Sequence, residues 1–278
     1  MSRWLFGRAD AAIAPNSHIA RLLRERGALP PERIREVRGG VDVSAFCPLS
    51  AEERRRARAG LGAEPDELLV GILARLQPRR RHADLLEAFV AVRREIPRAR
   101  LLIAGKGEGR GGLEARTARL RLKDAVTFTG YWEGDLREVL GALDLFVLLA
   151  PGSDGSGRAL LEAQAVGLAS LAVDREGLAD AVEKGVTAHV VPAGGPRPLA
   201  EALTALLRDP GRRESLGRAA RRRALEELDW AHVAGHVEAI YGECLERLRS
   251  RCGGGGGRSG RAAPSSASRH LEREVAGR

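Results

Sequence analysis

Six short apolar runs recur between residues 68 and 191, and most are separated by segments of helical period. They are Leu68–Ala74, Ala99–Ala104, Ala125–Thr129, Leu143–Ala150, Ala169–Val173 and Ala188–Val191. Runs this short, bounded by glycine and polar residues, read as strands buried on both faces. The intervening stretch Ala83–Glu95 places Leu85, Leu86, Phe89 and Val92 on one face and reads as a crossover helix. Strand and helix alternating in this way predict an α/β fold with a doubly wound, Rossmann-like parallel sheet. Ligands of such sheets sit beyond the carboxyl ends of the strands. The loops that leave those ends are therefore where chemistry is expected.

Flanking elements follow the same reading. Ala11–Pro15 is a short strand, Asn16 and Ser17 cap a helix from His18 to about Arg26, and Ile34–Val37 is a second short strand. The pair Gly39-Gly40 before Val41-Asp42 permits either positive φ or a close backbone approach. Ala51–Ala59 reads as a solvated helix stopped by Gly60, and Gly177–Lys184 as a short helix. Pro198–Leu207, Pro210–Glu227 and Trp230–Arg249 read as further helices. The tail from Gly253, glycine-rich and then serine-rich, is expected to be disordered.

Charge and cysteine content narrow the functional classes. The formal net charge is +9, but Lys106, Lys123 and Lys184 are the only lysines, and the arginines are spread along the whole chain. Nucleic-acid binders gather their charge into a patch or stripe, so that class is disfavoured. Dispersed arginine suits peripheral contact with anionic lipid head groups better. Cys47, Cys244 and Cys252 show no CxxC spacing, which argues against a metal site and a disulfide framework and suits a reducing compartment. His232 and His236 are four apart, but no HExxH motif is present and a surface pair is the simpler reading. No run approaches the ~20 apolar residues of a membrane span. Met1–Asp10 lacks a signal-peptide core. A cytoplasmic protein, at most peripheral to the inner membrane face, is expected.

Three constellations lie at strand ends. Arg75-Leu-Gln-Pro-Arg79-Arg80-Arg81-His82 follows the first long strand, and guanidinium forks there suit a diphosphate, although a solvated basic loop would look the same. Gly105-Lys106-Gly107 and Phe128-Thr129-Gly130-Tyr131 could frame a nucleobase or be ordinary strand ends. Most informative is Pro151–Gly167, a glycine-rich turn opening into a helix. Gly155-Ser156-Gly157 offers backbone N–H groups to an anion at a helix N-terminus. Glu162, two turns into that helix, can accept from vicinal hydroxyls. The competing reading makes Asp154 a helix cap and Glu162 an exposed surface charge.

In order and spacing these motifs resemble the glycosyl transferases group 1 family, the retaining, nucleotide-sugar-dependent enzymes of the GT-B fold. The family pattern N-G-V-D-x-x-x-F-x-P stands here as Gly39-Gly40-Val41-Asp42…Phe46-Cys-Pro48, and R-L-x-x-x-K-G as Arg75-Leu-Gln-Pro-Arg-Arg80-Arg81. F-x-G is Phe128-Thr-Gly130, and E-G-F-G-x-x-x-x-E-A-x-A-x-G is Asp154-Gly-Ser-Gly157…Glu162-Ala-Gln-Ala-Val-Gly167. Gly177-Leu-Ala-Asp180 and Gly185–Pro192 match its last motifs. The resemblance implies that Arg75 and Arg80 hold the donor diphosphate and neutralise the leaving group without a metal. It implies that Glu162 binds the ribose and that Asp154 lies by the transferred sugar. Gly155, Ser156, Gly157 and Arg158 would contact sugar or phosphate, with Phe128 and Gly130 at the base. Departures are Asp154 for Glu, Ser156 for an aromatic, Gly39 for Asn, Arg80 for Lys and Arg81 for Gly.

The resemblance also implies an organisation and partners. Residues 1–48 would be a remnant of an N-terminal domain with the hinge, and 49–228 the nucleotide-sugar-binding domain. Residues 229–250 would be a crossover helix and 251–278 the tail. The chain would be the C-terminal half of a GT-B fold, its acceptor half truncated or supplied by a separate N-terminal-domain partner. No cofactor is expected, only a nucleotide sugar as co-substrate and a glycan or lipid-linked acceptor. The alternative is a non-catalytic nucleotide-sugar or partner-binding module.

Overall fold

A computed structural model describes residues 8–27, 29–151 and 157–253. Asp154, Gly155, Ser156 and most of the tail lie outside the described residues. Six parallel strands form the main sheet: β3 (Leu68–Leu73), β4 (Ala99–Ala104), β5 (Val126–Gly130), β6 (Leu145–Leu148), β7 (Ser170–Asp174) and β8 (His189–Pro192). Their order is β5-β4-β3-β6-β7-β8, so the chain winds outward in one direction from β3 and then in the other from β6. The doubly wound expectation holds. A separate two-stranded parallel sheet joins β1 (Ala12–Ala14) to β2 (Ile34–Glu36) around α1 (Ser17–Glu25).

Alternation along the central strands fills two cores. Val70, Ile72, Leu145, Val147, Leu171 and Val173 face one cluster, with α3 (His82–Glu95) and α7 (Pro196–Arg208) packed over it. Leu69, Phe146, Leu148 and Ala172 face the other, covered by α5 (Leu136–Ala142) and α6 (Arg158–Ala165). Residues one apart on a strand point to opposite faces, so each apolar run must be apolar throughout to serve both layers. That is why these strands read as unbroken runs.

Local chemistry sets the helix starts. Asn16 Oδ1 accepts from Ile19 N–H at 2.9 Å, the cap expected for α1. Ser50 and Glu53 form a reciprocal capping box at the head of α2 (Ala51–Gly60), with the Glu53 carboxyl held down to about 2 by its Ser50 and Arg137 hydrogen bonds. Two segments differ from expectation. Gly177–Lys184 forms only a 3-10 turn at Leu178–Ala181: Val182 is already extended, and a further turn, in which Val186 and Thr187 N–H donate to Glu183 O, leads to β8. The proposed Pro210–Glu227 helix is α-helical to Arg223 (α8) and then widens to a π-turn, Ala224–Leu228, that directs Ala224 and Leu228 into the second core.

The small sheet meets the large one through short polar links. Ser17 N–H donates to Asp180 Oδ2 at 2.9 Å, and Val41 N–H donates to Leu228 O at 2.8 Å beside the Val41–Asp229 bridge. Of the two options open at Gly39-Gly40, Gly40 shows the close approach: a Cβ there would lie 2.7 Å from Trp230 Cδ1. Asp42 then caps the next turn, accepting from Ser44 N–H, Ser44 Oγ and Ala45 N–H. The last helix, α9, runs Trp230–Gly253. The chain divides into compact units at Ile240, and in the second unit Tyr241, Leu245 and Leu248 are exposed at successive turns of that helix. No helix among the described residues is long and apolar enough to cross a membrane.

At the amino ends of the strands, Asp144 gathers three donors. Arg54 Nη2 lies at 2.8 Å, Arg58 Nη1 at 3.1 Å and Leu69 N–H at 2.7 Å. Arg58 is itself buried and also donates to the carbonyls of Ala142, Glu64 and Glu67. Removing one member of such a group strands the remaining charge. Asp144→Ala should therefore cost about 3–5 kcal/mol in urea unfolding, whereas Arg55→Ala, which breaks only the exposed pair with Glu52, should cost about 0.5 kcal/mol or less.

Candidate functional site

Three loops meet at the carboxyl ends of β3, β4 and β5. Gly105, Gly107 and Gly109 press against the backbone that carries Arg75. A Cβ on Gly105 would stand 2.1 Å from Ala74 O, and one on Gly107 or Gly109 would stand 2.4 Å or 2.8 Å from Leu76 O. Leu76 N–H donates to Lys106 O and Gly109 N–H to Leu76 O, closing the contact. These glycines serve backbone packing. They fix the Arg75 loop, and Arg75 itself projects into solvent at the end of β3.

The arginines of this loop do not act alike. Arg80 is 8% exposed, and its Nη1 donates to Ala150 O at 3.1 Å and to Pro151 O, so it grips the end of the β6 segment where the glycine loop begins. Arg81 takes left-handed angles (φ +59°) as the N-cap of α3 and forks to Asp84. Of the four, Arg75 and Arg79 stand as exposed guanidiniums with no side-chain partner among the described residues. A cluster converging equally on one diphosphate is not what the structure presents. Carbonyl acceptors cannot be identified from sequence, so nothing there could assign Arg80 this grip.

Helix α6 opens from Gly157 (φ +63°) with no side-chain cap. Glu162 is 5% exposed on this helix, and its Oε1 accepts from Arg158 Nε at 2.9 Å. The reading of Glu162 as an exposed surface charge is therefore wrong. Burial pushes its pKa up, with the Arg158 hydrogen bond and charge working against that shift. Behind it, Gln164 is fully buried and shares Ala181 O with Arg223, whose Nη1 also donates to Gln164 Oε1 at 3.2 Å. This support was missed in the sequence, because its members are distant in the chain and form no motif.

On the other side, Gly105 N–H donates to Gly130 O at 2.7 Å, Gly130 has φ +74°, and Phe128 packs partly into the first core. Lys106 Nζ lies 5.2 Å from the centre of the exposed Tyr131 ring, which brings the two proposed base-framing segments together. β5 and β6 are three strand spacings apart, roughly 14 Å. An extended ligand is needed to touch both.

His82, the first residue of α3, is 2% exposed, and neither ring nitrogen has a hydrogen-bond partner among the described residues. Burial, and then the Arg80 charge, pushes its pKa down to about 4. The unfolded chain therefore takes up a proton before the folded one does. Stability should fall as pH drops from 6.5 towards 4, by about 3 kcal/mol in all. His82→Leu should flatten that pH slope and leave the protein at least as stable at pH 7, as measured by chemical unfolding across pH.

The glycosyl transferases group 1 family model matches residues 53–223. The D-inositol 3-phosphate glycosyltransferase of Nocardia farcinica is 34% identical over 263 residues, covering 91% of this chain and 57% of that protein. The chain thus spans about half the length of the curated relatives it matches. Among solved structures, Anabaena HepE in complex with UDP and glucose superposes with a TM-score of 0.77 at 20% identity, over 87% of this chain and 67% of that one. The C-terminal domain of the group 1 family protein LpcC from Francisella tularensis superposes at 0.60 with 18% identity, over 69% of this chain and all of that one.

Proposed function

Because this chain belongs to the glycosyl transferases group 1 family, we propose that it is the donor-binding part of a glycosyltransferase that moves a sugar from a nucleotide sugar with retention. One observation carries the reading: a carboxylate, Glu162, is buried on the helix that follows β6 and opens without a side-chain cap. A buried carboxylate whose ion-pair partner is an exposed arginine is costly to keep unless a ligand uses it. Vicinal ribose hydroxyls are such a ligand. The diphosphate would lie across Arg75 and the N-terminus of α6, and the base would lie towards Lys106, Phe128, Gly130 and Tyr131.

Arg80 would act on the diphosphate through the loop it anchors, as well as through its charge. Asp154, Gly155, Ser156 and Gly157 would border the transferred sugar, and Arg158 would steady Glu162. Positive groups around the leaving diphosphate would lower the barrier to glycosidic cleavage electrostatically. Residues 49–228 would form this donor domain, with 1–48 and 229–250 joining it to an acceptor domain, in the same polypeptide or in a separate partner. The acceptor would be a glycan or a lipid-linked molecule handled at the inner membrane face.

Thermal unfolding with UDP-, GDP- and ADP-sugars provides the test. One of these should protect the protein, and Arg75→Ala should weaken that ligand roughly 10- to 100-fold through loss of a charge-assisted contact. Glu162→Gln should weaken it by a similar factor. Its effect on the empty protein runs the other way. The raised pKa means that the ionised form burdens the fold above that pKa, so the amide should leave stability at pH 8 equal or higher. Absence of protection by every nucleotide sugar would refute the reading. Protection without sugar transfer in any mixture containing an acceptor domain would reduce the protein to a binding module.

A further inference from the structure

Helix α9 ends in a stretch whose side chains are sorted by chemistry around its axis. Within the second compact unit, Tyr241, Leu245 and Leu248 are 65%, 53% and 40% exposed. At 3.6 residues per turn these three fall on one side of the helix. Arg249 falls on one border of that stripe, and Arg247 and Arg251 fall on the other. The carboxylates of the same stretch, Glu243 and Glu246, fall on the far side. Exposed leucines scattered singly need no explanation. A stripe bordered by cations, with the anions kept away from it, has a direction and asks what it faces.

We propose that residues 241–251 lie flat on a surface of anionic phospholipid, with Tyr241, Leu245 and Leu248 entering the boundary between head groups and acyl chains. An interfacial helix pairs an apolar face with basic residues beside it. The arginine stems cover the edge of that face while their guanidiniums reach back to phosphate. Tyrosine suits this depth, because its ring is apolar and its hydroxyl can stay with water and head groups. Glu243 and Glu246, on the far side, are held away from the negative surface. A second copy of the chain fits less well: two copies laid stripe to stripe would bring arginine borders together, and like charges in contact are costly. Arginine dispersed over the whole chain gives no preferred orientation, whereas these three arginines mark one side. Arg258 and Arg261 follow in the sequence and add positive charge. The stripe is short, and each basic residue near an anionic surface is worth only roughly fivefold in affinity, so binding needs both contributions. The proposal does not depend on donor binding at the strand ends.

Co-sedimentation of the full chain with lipid vesicles is the test. Vesicles of phosphatidylcholine mixed with phosphatidylglycerol should bind the protein at low salt, and vesicles of phosphatidylcholine alone should bind it at least roughly 10-fold more weakly. Leu245→Asp should weaken binding roughly 10- to 100-fold, since it removes an inserted side chain and adds an anion. Arg249→Ala should weaken it roughly fivefold. Leu225→Asp, which changes an exposed leucine outside the stripe, should bind as the wild type does. All three positions are exposed, so the melting temperatures should stay close to that of the wild type. No binding to the anionic vesicles would overturn the proposal. Binding that Leu245→Asp leaves unchanged would overturn it too, because general arginine charge would then account for the association. A dimer in sedimentation equilibrium that Leu245→Asp dissolves, with no vesicle binding, would give the face to a second copy instead.

Discussion

A parallel sheet covered on both faces leaves charge almost nowhere to go except the two ends of its strands. Leu69 and Val70, or Phe146 and Val147, are adjacent residues buried in opposite layers, so neither face can hold a polar group cheaply. The polar chemistry of this fold therefore divides into two fields. At the amino ends, Asp144 collects Arg54, Arg58 and the Leu69 amide into a satisfied network that only holds the structure together. At the carboxyl ends the groups are less completely matched: Arg75 stands in solvent, Glu162 is buried behind one exposed arginine, and His82 lacks partners among the described residues. Completeness at one end and shortfall at the other is the physical mark that separates scaffold from site.

Much of the architecture was legible from the chain because two-sided burial writes itself as unbroken apolar runs. The strand positions and the cap at Asn16 depend on neighbours a few residues apart, and local pattern reports them well. The roles of the arginines were not legible. Arg80, Arg221 and Arg223 donate to main-chain carbonyls from distant loops, and every residue type offers the same carbonyl. An arginine-rich composition that reads as dispersed surface charge thus includes side chains that pin loops from within. Gly105 and Gly107 were conspicuous, but sequence cannot tell a glycine that admits a ligand from one that admits another backbone. Here it is the second.

The burial of Glu162 shows how the family pattern and the physics meet. Period alone places it two turns into α6 and says nothing of which side faces the core. The Gln164–Arg223–Ala181 arrangement behind it fixes that side, and the carboxylate is buried. Arg221 reinforces the same helix from its end, donating to Ala165 O while reaching Val43 O and Phe46 O. The site is thereby coupled mechanically to the segment that leads from the small sheet.

That segment meets its counterpart at Val41 and Asp229, where the outgoing and returning chains lie side by side and share hydrogen bonds. Each chain at this crossing satisfies backbone groups of the other, so neither can leave it without stranding an amide or a carbonyl of its neighbour. The Ser17–Asp180 hydrogen bond gives the β1–α1–β2 side a second attachment to the main sheet's periphery, away from that crossing.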